Sequence, residues 1–140
     1  MSISNARIRQ AILEAGLPEP EPGKLHICGV RVGEQGSNKF DDLLLLFGTA
    51  SASFPATVDP GATWTKRPSN PIGCAHLTWG CWRYKIGLHK GKPALVQAAP
   101  VTVRRDKDRD GVAEAGEPLD TGWFGVNGHE MGDAPTIDAW

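Results

Sequence analysis

The chain has 140 residues, enough for one compact domain with one apolar core and too few for two ordinary ones. Acidic residues outnumber basic ones by one, and no long basic run occurs, so the sequence excludes a general nucleic-acid binder and a protein drawn to anionic membranes. The longest apolar run, Leu43 to Phe47, is too short to cross a bilayer, and the polar N-terminus has no signal-peptide core; synthesis in the cytoplasm without membrane insertion is expected.

The first element is a helix. Ile8, Ala11, Ile12 and Ala15 recur at helical spacing, Ser4 or Asn5 can cap the start, and Gly16 with Pro18 ends it, so residues 1–18 form an amphipathic N-terminal segment. The following PEPEPG is a stiff extended connector, because proline fixes φ and disfavours helix in the residue before it. A β-rich domain is expected over residues 24–140.

KLHICGVRV and LLLLFGTA read as two strands joined by a glycine and asparagine turn, and four consecutive leucines imply a strand buried on both faces, or nearly so. Residues 53–71 are rich in proline and poor in periodicity, which predicts a long ordered loop. Trp82 to Leu88, Ala94 to Ala98 and Val101 to Arg105 are strand candidates, with HKGK as a tight turn between the first two, and DTGWFGVNGH supplies one more strand. The expected fold is therefore mainly β, a mixed or antiparallel sheet or barrel-like sandwich in a single domain, with one short N-terminal helix.

Three cysteines, Cys28, Cys74 and Cys81, are odd in number and lack CxxC spacing. They read as reduced, mostly buried thiols, with a Cys74 to Cys81 bridge as the alternative in an exported protein.

RRDKDRDGVAEAGEP carries the spacing of an EF-hand-type loop. Ligand positions 1, 3, 5, 7, 9 and 12 fall on Asp106, Asp108, Asp110, Val112 through its carbonyl, Glu114 through a water, and Glu117, with Gly111 at the turn. A hard cation needs about seven oxygens at short range, and alternate residues of a curled loop aim their oxygens inward. The flanks differ from those of an EF-hand: APVTVRR reads as strand, and Pro118 restricts a helix start. The preferred reading is a structural calcium clamp on a β-hairpin. The alternative is an exposed acidic turn whose aspartates cap its own amides.

Of four histidines, His26 is placed in the first strand, His76 in the loop region and His89 at a turn. His129 ends a predicted strand in a glycine-rich context that can present a side chain to a groove.

The ordered series GVRV, NKFDD, TVDPG, PSNPIG, YKIGLHKGK, ALVQ, VTVRRDKDRDG and TGWFGVNGH, from about Leu25 onward, resembles a family of phage and prophage proteins related in outline to the L,D-transpeptidase catalytic domain. The resemblance implies a β-rich fold acting on peptidoglycan peptides, reached by virion delivery or holin release, and an Asp-rich turn as a structural device. It also implies that His129 is the catalytic histidine, partnered by a cysteine a little over a dozen residues later in an S-x-G-C segment. In family members that segment follows a tryptophan like Trp140; here no such segment occurs. A thiolate attacks the peptide carbonyl while the histidine activates the thiol and then protonates the leaving amine, so histidine alone has no covalent route. The expectation is a cell-wall protein that is inactive as it stands. The competing reading is a non-enzymatic, calcium-stabilised module in which Trp64, Trp79, Trp82 and Trp123 offer flat faces to a glycan.

Overall fold

A computed structural model describes residues 4–31, Gly36 and residues 39–129. The fold is mainly β, with antiparallel pairing throughout the named strands. Among the described residues, no helix is long and apolar enough to cross a membrane. The chain divides into two compact units, Met1–Glu34 with Lys39–Val58, and Gln35–Asn38 with Asp59–Trp140.

The first unit opens with α1, Asn5–Glu14. Ser4 is extended, and its hydroxyl accepts from the Arg7 amide at 3.3 Å, so the polar residue before the apolar spacing is the cap. Ile8, the buried residue of α1, packs with Leu45 and Phe47, and Ile12, Cys28, Val30 and Leu43 surround them. The sheet under this helix has the order β1 (Leu25–Val30), β2 (Asp42–Gly48) and β3 (Ala52–Ala56). Leu45 and Phe47 are buried on one face of β2; Leu44 and Leu46 point the other way and are only half-buried. None of the four leucines is exposed, so the strand is buried on one face and partly buried on the other.

Residues 53–71 are not one long loop. They hold most of β3 and, in the second unit, a second helix, α2, Ala62–Lys66. Pro55 lies in β3, which pairs only with β2, so its missing N–H costs no ladder bond on the outer edge.

The second unit carries two separate sheets, β4-β7-β8 and β5-β6, and these do not close into a barrel among the described residues. The strands are β4, Cys74–Leu77; β5, Tyr84–His89; β6, Lys92–Gln97; β7, Val101–Asp106; and β8, Leu119–Gly122. Val101 and Val103 of β7 are fully buried, and His76 of β4, also buried, pairs with Arg104 on the other face of β7. His76 is thus a strand residue, not a loop residue. TGWFGVNGH is strand only at its start; beyond Gly122 its ladder contact is a bridge from Gly128 to Leu95.

HKGK forms the predicted tight turn, a two-residue one that closes β5 on β6 with His89 opposite Lys92. Lys90 and Gly91 have φ of 49° and 79°, the double left-handed pattern whose twist matches a hairpin. Gly91→Val is expected to cost about 1 kcal/mol or more, because a β-branched residue resists that φ. A urea midpoint equal to that of the parent would contradict this assignment.

Candidate functional site

β7 delivers Asp106 to the start of the acidic loop, where its carboxylate is inaccessible to solvent. Its Oδ1 accepts from the Arg109 amide at 2.7 Å and its Oδ2 from the Gly111 amide at 2.9 Å. These bonds curl the chain through left-handed Arg109 and Gly111, at φ of 66° and 90°. Glycine is suited to that turn, and Arg109 is held there against its own preference. Asp108 and Asp110 form successive short turns, each accepting from the amide two residues on. Glu117 closes the far side: Oε1 accepts from the Lys107 amide at 2.6 Å and Oε2 from the Glu114 amide at 3.0 Å. Arg104 donates to the carbonyls of Ala115 and Glu117, tying the return of the loop to β7.

Asp106, Asp108 and Glu117 each place one carboxylate oxygen within 4.8 Å of the others, and this cluster could hold a metal ion. The donors are all hard oxygens. Two oxygens on opposite sides of a calcium ion, each at about 2.4 Å, are themselves about 4.8 Å apart. A carboxylate has about four lone-pair sites, so the amide bonds leave room for a cation. Asp110 and Glu114 stand outside this set, and the Val112 amide is turned to Asp110 Oδ1. Of the six loop positions read as ligands, three are brought together.

The surroundings shift the Asp106 carboxyl. Burial pushes the Asp106 carboxyl above the usual carboxylate range, with Glu117 adding to the rise, while bonds from Gly111 and Arg109 and the nearby His76 oppose it. His76 Nε2 lies 3.7 Å from Asp106 Oδ2. A positive ion beside such a carboxylate stabilises its charged form.

Arg105, the neighbour of Asp106, is almost fully buried. Its guanidinium donates to Asp120 Oδ2 at 2.8 and 3.1 Å, reaches the Gly73 carbonyl, and lies 4.6 Å from the Phe124 ring centroid. A planar, always charged donor set suits this pairing and stacking.

His129 follows the Gly128 bridge to Leu95 of β6. Leu95 and Gly128 exchange backbone bonds of 2.7 and 2.9 Å. The His129 ring stacks on His89 with centroids 5.1 Å apart and planes 10° apart, and Asn127 Nδ2 is 3.1 Å from His89 Nδ1. Gln97 anchors the approach to this segment: its Oε1 accepts from the amides of Phe124 and Val126, and its Nε2 donates to the carbonyls of Ala99 and Gly122.

No known protein family, curated protein or solved structure matches this chain.

The thiols do not assemble as a bridge. No disulfide joins Cys74 to Cys81; Cys74 is buried, Cys28 half-buried and Cys81 exposed, so burial of the thiols is only partial. Cys74 is buried, and burial pushes its thiol up, which makes it a poor nucleophile. Trp79 and Trp123 are 72% and 63% exposed, whereas the Trp82 ring N–H donates to the Thr78 carbonyl. His89, Asn127 and Gln97 carry the surroundings of His129; Asn127 and Gln97 escape the sequence reading, since an amide side chain gives no periodic signal.

Proposed function

We propose that this chain is a phage-associated cell-wall protein that recognises peptidoglycan, with a calcium ion clamping its acidic hairpin and His129 at the recognition surface. The observation that supports it is the presentation of His129: an exposed imidazole at the end of a bridged segment, stacked on His89 and reached through a segment fixed by Gln97. The ordered motifs that resemble the L,D-transpeptidase-related phage proteins give the substrate class. Burial pushes the Cys74 thiol up and leaves it a poor nucleophile, which fits recognition without a role for that thiol.

Calcium fits better than a softer metal because every clustered donor is a carboxylate oxygen. Calcium at a hundredfold excess over Kd is expected to stabilise the fold by about 2.7 kcal/mol, seen as a rise in Tm that a chelator reverses. An unchanged Tm would remove the clamp from this reading.

Purified peptidoglycan should retain the protein in a pull-down, and His129→Ala should weaken retention. Release of soluble muropeptides that His129→Ala abolishes would instead make the chain an active enzyme. A second reading, a glycan-binding module, is favoured by the exposed faces of Trp79 and Trp123. There, Trp79→Ala or Trp123→Ala weakens retention while His129→Ala leaves it unchanged.

A further inference from the structure

The recognition reading uses His89 only as the ring on which His129 stacks. We propose that the stacked His89–His129 pair is a proton-operated clasp in which neutral His89, as a positioning residue, fixes the orientation of the His129 ring. The inference rests on His129 being the functional histidine, and it adds regulation of that site by pH.

The geometry has three parts. His89 is the last residue of β5, held at a tight turn whose Lys90 and Gly91 are both left-handed. His129 is carried to it by the Gly128–Leu95 bridge, so two chain-distant rings are each fixed by backbone before they meet. Asn127 lies between them in sequence and bonds His89 Nδ1 through its amide nitrogen at 3.1 Å. That nitrogen can only donate, so Nδ1 must accept and the His89 proton sits on Nε2.

Taking a proton from solvent at Nδ1 converts this acceptor into a donor. Two N–H groups then face each other and the Asn127 bond is lost. The cationic ring also meets like charge: Lys90 in the turn and Lys92 across the β5–β6 ladder. With the Asn127 bond lost and like charge beside it, His89 no longer holds the His129 ring in place, and the stack opens.

The pH direction follows. Burial, then His129, then Lys90 hold His89 below the ordinary imidazole range. A depressed value means that the folded state favours neutral His89. The clasp's contribution is therefore complete above the ordinary value of about 6.5 and is lost as pH falls through the His89 value.

Nuclear magnetic resonance titration of the full chain between pH 8 and 5 tests this without any ligand. His89 should titrate below the ordinary imidazole value, and the His129 ring resonances should move with the His89 midpoint. The Gly128 amide should exchange at least about tenfold faster below that midpoint than above it, after correction for intrinsic rates. Asn127→Ala should raise the His89 midpoint, and His89→Phe, which keeps a flat ring but takes no proton, should remove the pH dependence of the Gly128 amide. Either an ordinary or raised His89 midpoint, or His129 resonances and Gly128 exchange that ignore both variants, overturns the clasp. Should His89→Phe fail to fold, Asn127→Ala alone decides by the direction of the midpoint. Failure of the recognition reading appears separately, as loss of peptidoglycan retention at every pH in the parent protein.

Discussion

Asp106→Ala is expected to cost about 3 to 5 kcal/mol and to abolish the effect of calcium on Tm. Two effects oppose each other at this position. Removing a buried carboxylate relieves its desolvation, which is what pushes the Asp106 carboxyl up. Against that, the Arg109 and Gly111 amides lose their acceptors in a loop whose left-handed turns depend on them. An amide stranded out of water costs about 1–3 kcal/mol, so two of them outweigh the relief. Arg109 adds to the loss, because a non-glycine residue leaves the left-handed region once nothing holds it there. Asp106→Asn, which keeps one acceptor oxygen, should lose roughly half as much stability and still lose calcium affinity. Urea unfolding of the three proteins, each with calcium and with chelator, gives the answer. An Asp106→Ala midpoint matching that of the parent would mean that the carboxylate does not organise the loop.

The sequence carried some parts of this fold clearly and others hardly at all, and the difference follows the range of the interaction. Ser4, the apolar spacing of Ile8 and Ile12, and the HKGK turn are local signals, and each appears where the pattern places it. The acidic loop is local too: Gly111 occupies the turn position, and Asp106 and Glu117, its first and last residues, are among the carboxylates that converge. Residues 53–71 misled because proline normally argues against strand, yet Pro55 sits in an edge strand that tolerates it. β4 was missed because four residues, Cys74 to Leu77, are too few to establish a period. It is a strand because β7 lies beside it, a fact that no window around Cys74 contains. The same holds for Arg105 with Asp120 and for His89 with His129, which are pairs only once the ladders are in register.

Gln97→Leu is expected to cost about 3 to 4 kcal/mol and to separate the two sites. Leucine matches glutamine in size and sits well in a buried place, so the loss measures the polar contacts more than a cavity. The amides of Phe124 and Val126 lose a shared acceptor at 3.0 and 3.1 Å, and the Gly122 and Ala99 carbonyls lose a donor. Partial access of water to these groups keeps the total below the sum of four isolated bonds. The functional consequence depends on the ladder. Val101 pairs with Gly122 and Arg104 with Leu119, so Gln97 acts near the Val101 end of β7 while Asp106 begins the acidic loop at the other end. Five residues of strand separate Val101 and Asp106 by about 17 Å. Gln97→Leu should therefore loosen the segment leading to His129 and weaken peptidoglycan retention, while the calcium-induced rise in Tm persists. Asp106→Asn should do the reverse, losing the calcium response while keeping retention when chelator is present for both proteins. Gln97→Glu retains the acceptor oxygens but loses the donor and buries a charge, so its retention should recover as pH falls and the carboxylate takes a proton. If both lesions reduce both readouts equally, the loop and the His129 surface form one cooperative site, and calcium then acts on recognition itself, not only on the hairpin that carries it.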